Sequence, residues 1–210
     1  MGQIKVSVVI VTWNSEKDIE ECLNSLRKQS FKDFNVVVVD NNSKDKTAKL
    51  VKDKYSDFAH LIELDHNIYL TGGNNVGIHF ATKNYSPEFV MVLNPDTKCE
   101  DNLIEELLKP MSHSDVGAVG PKVKFYKNYN DGLINSVGLL YDEFRPAYDI
   151  GFLEKDNHQF NEEKEVLGVT GACILDGHDM LKDTGLSGTR KKLYWDEVEL
   201  FISEIVKRRK

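Results

Sequence analysis

The sequence has little cysteine and no excess of basic residues, and each absence excludes a class of protein. Three cysteines occur among 210 residues, at Cys22, Cys99 and Cys173, and none belongs to a Cys-x-x-Cys or Cys/His cluster. This spacing argues against a zinc site or a disulfide framework and favours buried free thiols. The formal net charge of −7 argues against a general nucleic-acid-binding protein, which usually carries basic patches. A small nucleotide is still compatible with this charge, because local groups can bind its phosphates.

Long apolar runs are absent as well. The sequence has neither an N-terminal signal peptide nor a run of about 18 apolar residues, so we expect a cytoplasmic protein. The basic residues 207–210 follow an apolar stretch. They fit a solvated helix end, and they also fit contact with the inner face of an anionic membrane.

The sequence does contain an alternation of apolar runs and amphipathic segments. Four runs predict strands, and they lie at residues 6–11, 34–39, 61–64 and 89–93. Residues 72–75, which are Gly-Gly-Asn-Asn, are expected to open a helix over residues 76–82. Residues 125–160 lack periodicity and predict long loops or a small hairpin, and residues 166–175 predict a pair of strands. The alternation predicts an α/β fold with a mostly parallel central sheet flanked by helices.

Polar side chains stand just after several of these apolar runs. They are Thr12, Asn14, Asp40, Asn42, Asn94 and Asp96. Because ligands of parallel α/β sheets bind beyond the carboxyl ends of the strands, we expect these residues to converge on one edge.

Each carboxylate of this set has two interpretations from the residues alone. Asp40 either accepts a hydrogen bond from a nucleotide base or caps a turn. Asp96, in the segment Asn94-Pro95-Asp96, either holds a divalent cation against a diphosphate or caps the next helix.

Two further segments also carry alternatives. The glycine-rich residues 72–77 fit an anion-binding backbone ahead of a helix, and equally a flexible loop with a helix cap. The acidic cluster Asp196, Glu197 and Glu199 fits either a general base or the favoured acidic start of a helix. Trp13 and Trp195 are expected to be packing residues.

Six ordered motifs together resemble glycosyltransferase family 2, with the fold called GT-A, and most closely its rhamnosyltransferase-like branch. The resemblance rests on residues 6–14, residues 38–43, Asn67 with residues 72–77, residues 93–97, residues 169–173 and residues 194–200. It implies one domain over residues 1–210. Residues 1–124 would form the half that binds the nucleotide sugar, and residues 125–210 a shortened acceptor and catalytic half.

The resemblance also assigns roles to residues. Asp40 is expected to meet the base, and Asp96 to hold Mg²⁺ or Mn²⁺. The other residues expected to bind the nucleotide sugar are Thr12, Asn14, Asn42, Gly73, Asn75 and Asn94. Glu197 is expected to be the catalytic base, with Asp196 beside it.

The implied reaction is inverting transfer from a dTDP-rhamnose or UDP-sugar type of donor to a hydroxyl of a glycan or lipid-linked acceptor. The sequence departs from the family at several positions: Tyr69 stands where glycine is frequent, Ser187-Gly188 replaces Phe-Asp, and the chain ends soon after Glu199. These departures leave an alternative, a non-catalytic protein that binds nucleotide sugars or serves as a scaffold.

Overall fold

Strands and helices alternate through the first half of the chain, as the sequence predicts. The computed structural model describes residues 4–113, 115–126, 132–142 and 145–177. In chain order the first elements are β1 (Val6–Thr12), α1 (Ile19–Arg27), β2 (Phe34–Asp40), α2 (Thr47–Tyr55), β3 (Ala59–Glu63), α3 (Tyr69–Tyr85), β4 (Phe89–Leu93) and α4 (Leu103–Leu108). The strands β1, β2 and β4 are largely buried, which fits valine-rich strands covered by helices on both faces.

The central sheet has six strands within the described residues, in the order β3-β2-β1-β4-β10-β5. The first four are mutually parallel, whereas β10 (Cys173–Gly177) runs antiparallel to β4 and to β5 (Ala118–Val119). The prediction of a mostly parallel sheet is therefore confirmed. In the register of β1 with β2, Thr12 lies opposite Asp40, so both strands end at the same level.

Each face of the sheet has its own apolar core. Side chains such as Val8 and Ile10 point towards α1, α2 and α4, where Leu23 and Val51 are fully buried. Side chains from the alternate positions of β1 and β2 meet α3 on the other face. Because a strand directs successive side chains to opposite faces, the continuous valine runs supply both cores.

Helix α3 begins earlier than the sequence predicts. It extends over Tyr69–Tyr85, so residues 72–75 are helical and the expected glycine loop is wrong. Gly73 and Gly77 face the sheet, and a Cβ atom on Gly73 would lie 2.7 Å from Cγ1 of Val11. The low helix propensity of glycine is outweighed here by the close approach of the helix to β1.

The second half of the described chain is built from short antiparallel pairs. These elements are β5, β6 (Val123–Lys124), β7 (Ile134–Ser136), β8 (Leu139–Asp142), β9 (Arg145–Asp149) and β10. β6 pairs with β7, and β8 with β9, which agrees with the expected loops and small hairpin. The strand pair expected over residues 166–175 is found only in part. Gly168 forms a single bridge with Leu139 of β8, and the end of the segment joins the central sheet as the start of β10.

None of the helices in the described ranges is long and apolar enough to cross a membrane. Residues 207–210, for which membrane contact is an alternative, lie outside those ranges.

We predict that Gly77→Ala lowers the free energy of unfolding by about 1–3 kcal/mol, although alanine favours helix by about 1 kcal/mol. The added methyl would overlap Cγ1 of Val9, a fully buried side chain of β1. Urea unfolding measures the change. Gly72→Ala is the matched control, because its methyl would approach only the side chain of Ile68, at 3.0 Å. Equal effects of the two variants would contradict the packing role of Gly77.

Candidate functional site

An open cleft lies beyond the carboxyl ends of the parallel strands. It is bordered by the segments that follow β1, β2 and β4, by the start of α3, and by residues 121–126 and 169–173 of the second half. Among the residues predicted from the sequence, Asn14, Asn94 and Asp96 line this cleft directly. The predicted convergence on one edge is therefore observed for the strand ends of the first half.

Asp40 is the last residue of β2 and is only 3% exposed. One carboxylate oxygen accepts a hydrogen bond from the hydroxyl of Thr12 at 3.1 Å, and the other accepts one from the backbone N–H of Ser43 at 3.0 Å. The bond to Ser43 is the turn-capping interaction that the sequence allows. Each carboxylate oxygen can accept a second hydrogen bond, so the turn role leaves acceptor capacity for a base. Contact with a base stays a prediction.

Two asparagines join the ends of β1 and β2. Asn14 and Asn42 have backbone φ angles of 54° and 62°, which asparagine tolerates better than most residues. The amide oxygen of Asn14 accepts the backbone N–H of Lys44 at 2.8 Å. Asn42 donates to the carbonyl of Asp65 at 2.9 Å and lies outside the cleft lining. Both side chains thus fix the loops around Asp40.

Asn41 is a buried anchor that the sequence analysis misses. Its side chain donates to the carbonyl of Tyr69 and accepts from the backbone N–H of Ile68, both at 2.9 Å. Its own backbone N–H donates to the carbonyl of Thr12 at 2.8 Å. Asn41 therefore binds the ends of β1 and β2 to the start of α3. The signal in the sequence is the first asparagine of the pair 41–42, which the sequence analysis includes only within the motif at residues 38–43.

Asn94 and Asp96 follow β4 on the other side of β1. The backbone N–H of Asn94 donates to the carbonyl of Ala172 at 3.0 Å, and the hydroxyl of Tyr126 donates to the carbonyl of Asp96 at 3.0 Å. Helix α4 begins only at Leu103, so the alternative in which Asp96 caps the next helix is wrong. Among the described residues, no hydrogen bond or ion pair engages the Asp96 carboxylate.

Gly73 and Asn75 lie within α3 rather than in a loop, and neither lines the cleft. From the fifth residue of a helix onward, backbone N–H groups bond within the helix, so these two amides are poorly placed to receive an anion. The geometry gives Gly73 a packing role against Val11. Their contact with a nucleotide sugar remains an untested prediction.

Trp13 corrects another expectation. It is 59% exposed and lines the cleft, so it is not a packing residue. Trp195, Asp196 and Glu197 lie outside the described residues, and so do Ser187 and Gly188.

A pair of lysines in the lining of the cleft was also missed. Lys122 and Lys124 both line it, and Lys122 forms an ion pair of 2.9 Å with Asp156. The hydrogen bond from Lys122 lowers the pKa of the Asp156 carboxyl. The amide oxygen of Asn161 accepts a further bond from Lys122 at 2.8 Å. Isolated lysines carry no motif, so only the fold reveals that they line the same cleft as Asp96.

The three cysteines gather behind the loop that carries Asp96. All three are free and buried, as the sequence predicts. The thiol of Cys22 lies 3.8 Å from the carbonyl oxygen of Asn94 and 3.7 Å from the hydroxyl of Thr97. Burial raises the pKa of Cys22 to about 12 and that of Cys99 to about 11, and it raises the pKa of Cys173 as well. The thiols therefore stay protonated and act as apolar packing.

Within the described ranges, no three His, Cys, Asp or Glu side chains are arranged to hold a metal ion.

Comparison with known proteins identifies a family over nearly the whole chain. The model of the family described as glycosyl transferase family 2 matches residues 7–196. The low-salt glycan biosynthesis hexosyltransferase Agl10 of Haloferax volcanii is 26% identical over 202 residues, which cover 92% of this chain and 59% of that protein. The poly(ribitol-phosphate) beta-N-acetylglucosaminyltransferase TarS of Staphylococcus aureus is 39% identical over 123 residues, which cover 54% of this chain and 20% of that protein. The chain thus spans less than two thirds of the length of these relatives.

Solved structures share the fold at low identity. TarS 1-349 of S. aureus in complex with UDP superposes with a TM-score of 0.67 at 22% identity, covering 95% of this chain and 55% of that one. Mannosyltransferase PcManGT from Pyrobaculum calidifontis, in complex with GDP-Man and Mn²⁺, superposes with a TM-score of 0.68 at 19% identity. The match covers 98% of this chain and 52% of that one. The fold is therefore of the GT-A type, as the sequence motifs imply.

We predict that the buried thiols make the protein less stable in alkali. Unfolded thiols titrate near pH 9.0, whereas the folded pKa values of Cys22 and Cys99 are higher. Above about pH 9 the unfolded state therefore loses protons that the folded state retains, and the free energy of unfolding falls as the pH rises towards 11. Urea unfolding between pH 8 and 10.5 measures this slope.

The matched variant is Cys22→Ala, which lacks one of the thiols with a raised pKa. Its free energy of unfolding should fall less steeply over the same pH range. An unchanged slope would contradict the assignment of the alkaline instability to this thiol.

Proposed function

Because the chain belongs to glycosyl transferase family 2, we propose that it transfers a sugar from a nucleoside diphosphate sugar to an acceptor hydroxyl. The observation that carries this proposal is the placement of Asp40 and Asp96 at the ends of β2 and β4. These strands flank β1, so one extended ligand can reach both positions across the carboxyl edge. Asp96 borders the cleft, and Asp40 lies buried at the same edge.

The proposed donor is a UDP-sugar or a dTDP-sugar, with dTDP-rhamnose as one candidate. Asp40 would accept a hydrogen bond from a base N–H, which uracil and thymine both offer. Thr12 and Ser43 would hold the Asp40 carboxylate in place through the bonds described above. Asn14, Asn42 and Asn94 would shape the surrounding loops. The relatives bound to UDP and GDP-Man support a nucleotide donor of this general class.

The proposed metal is Mg²⁺ or Mn²⁺ at Asp96. A hard cation of this kind is commonly held by one or two carboxylates together with the phosphates of the substrate. The single carboxylate of Asp96, exposed at the border of the cleft, fits such a site better than a cage built only from protein. When bound, the ion would neutralise charge on the departing diphosphate.

The proposed catalytic base is Glu197, with Asp196 beside it. Glu197 would take the proton of the acceptor hydroxyl as the acceptor oxygen bonds to the anomeric carbon. In the same displacement the bond from that carbon to the diphosphate oxygen breaks, so the configuration inverts. This assignment rests on the motif at residues 194–200.

The proposed acceptor is a glycan or a lipid-linked saccharide. One relative is named as a glucosyltransferase acting on GalNAc(5)-diNAcBac-PP-undecaprenol in Campylobacter jejuni, at 28% identity over 108 residues. The acceptor would approach through the part of the cleft that is lined by Lys122 and Lys124. Contact of the basic residues 207–210 with an anionic membrane would bring the enzyme to a lipid-linked acceptor.

We predict that the chain binds UDP or dTDP more tightly with Mn²⁺ than without it. The variant Asp96→Asn should lose this gain in affinity, which we expect to be roughly tenfold or more. Isothermal titration of each nucleotide, with and without Mn²⁺, measures it. Asp33→Asn is the matched control, because Asp33 is an exposed carboxylate that precedes β2, at the opposite edge of the sheet. If neither nucleotide binds in the presence of the metal, the proposed function is wrong.

We predict that Glu197→Gln lowers the rate of sugar transfer by about 10²–10⁴-fold and leaves donor affinity unchanged, because the amide cannot accept the hydroxyl proton. Release of the nucleoside diphosphate from a radiolabelled donor, with and without lipid-linked acceptors, measures turnover. The same slow donor hydrolysis in both forms would instead favour the non-catalytic binding protein.

A further inference from the structure

Tyr69 has an unusual backbone for an aromatic residue. It is the first residue of α3, its φ angle is 64°, and its side chain is 48% exposed at the cleft. This left-handed conformation suits glycine and disfavours a bulky side chain. A large side chain kept in a backbone conformation that opposes it points to a role for the side chain itself.

The surrounding hydrogen bonds hold Tyr69 in this conformation. Its carbonyl accepts from the side chain of Asn41 at 2.9 Å, and its N–H donates to the side chain of Asn67 at 2.7 Å. Asn41 is 2% exposed and also accepts the N–H of Ile68. The start of α3 is therefore fixed against the end of β2.

The same asparagine connects Tyr69 to Trp13. The backbone N–H of Asn41 donates to the carbonyl of Thr12, which is the carbonyl of the peptide bond that joins Thr12 to Trp13. One buried residue thus lies between the backbones of two aromatic residues, and both of these are exposed and line the same cleft. Two such rings beside polar strand ends suit a flat ligand with an apolar face and hydrogen-bonding edges.

The strand order indicates which part of the donor lies there. Tyr69 is tied to the end of β2, whereas Asp96 follows β4 on the far side of β1. If Asp96 is near the diphosphate, Tyr69 lies at the opposite end of the ligand, beside Asp40. The base is the flat part of a nucleotide sugar and occupies that end.

We infer that Tyr69 is a specificity-determining residue that provides a second aromatic contact, besides Trp13, for the base of the donor. This inference rests on the proposed function. The contact would add affinity for the nucleobase of the donor without any change at the metal site or at the catalytic residue Glu197.

The test compares Tyr69→Gly and Tyr69→Phe with the wild type by isothermal titration with UDP, dTDP and GDP, each with Mn²⁺. Loss of one stacked base contact weakens binding by about fivefold to a hundredfold, and this loss is expected for Tyr69→Gly with the tightest nucleotide. Tyr69→Phe keeps the ring and should restore affinity to within about twofold of the wild type. Inorganic pyrophosphate with Mn²⁺, which has no base, should bind equally to all three proteins.

Thermal unfolding of the same variants separates stability from binding. Tyr69→Gly relieves the left-handed backbone and should melt no lower than the wild type. Equal affinity of Tyr69→Gly and the wild type for the nucleotide would overturn the inference and leave the proposed function standing. An equal loss of pyrophosphate binding would also overturn it, since the residue would then act on the whole site. If the wild type binds none of the three nucleotides, the proposed function fails and the inference fails with it.

Discussion

The parallel pairing of β1 with its two neighbours is the constraint on which the site depends. Parallel strands end at a common edge, so Thr12, Asp40 and the segment after Leu93 reach the same level although they are far apart in the chain. Hydrogen bonds then fix the side chains at that edge, Thr12 to Asp40 and Asn41 to the start of α3. A slip of one residue in this register would direct Asp40 to the other face of the sheet. The edge positions polar groups only because the valine-rich strands beneath it are held by two apolar cores.

The approach of α3 to the sheet is the second constraint. Gly73 and Gly77 are four residues apart and therefore lie on one face of the helix, where the side chains of Val11 and Val9 leave no room for a Cβ atom. This contact brings the start of α3 to the end of β2, where Asn41 can bind it. The same two glycines that look like a phosphate-binding loop in the sequence thus position Tyr69 at the cleft.

The first half of the fold and most of its polar edge were predictable from the sequence. Strong local signals produced them: continuous apolar runs for the strands, amphipathic segments between these runs, and Asx residues just after three of the strands. The start of α3 was not predictable, because local propensity opposes helix at residues 72–75 and only packing against Val11 favours it. The exposure of Trp13 was also missed. Whether an aromatic residue after a buried strand is covered depends on the loops that pack around it, and these come from distant parts of the chain.

The sequence by itself determined the family, the α/β alternation and the choice of Asp40 and Asp96 as candidate binding residues. These follow from local patterns of residue type and order. Only the tertiary structure decided that Asp40 is buried and bound by Thr12, that Asp96 caps no helix, and that Lys122 faces the cleft. The tertiary structure alone also decided that Asn41 joins the backbones of two aromatic residues. It likewise brought three cysteines that are distant in the chain together behind one loop. Each of these depends on contacts between segments far apart in the chain, and the geometry of such contacts is set by how the sheet and helices pack rather than by any neighbouring residue.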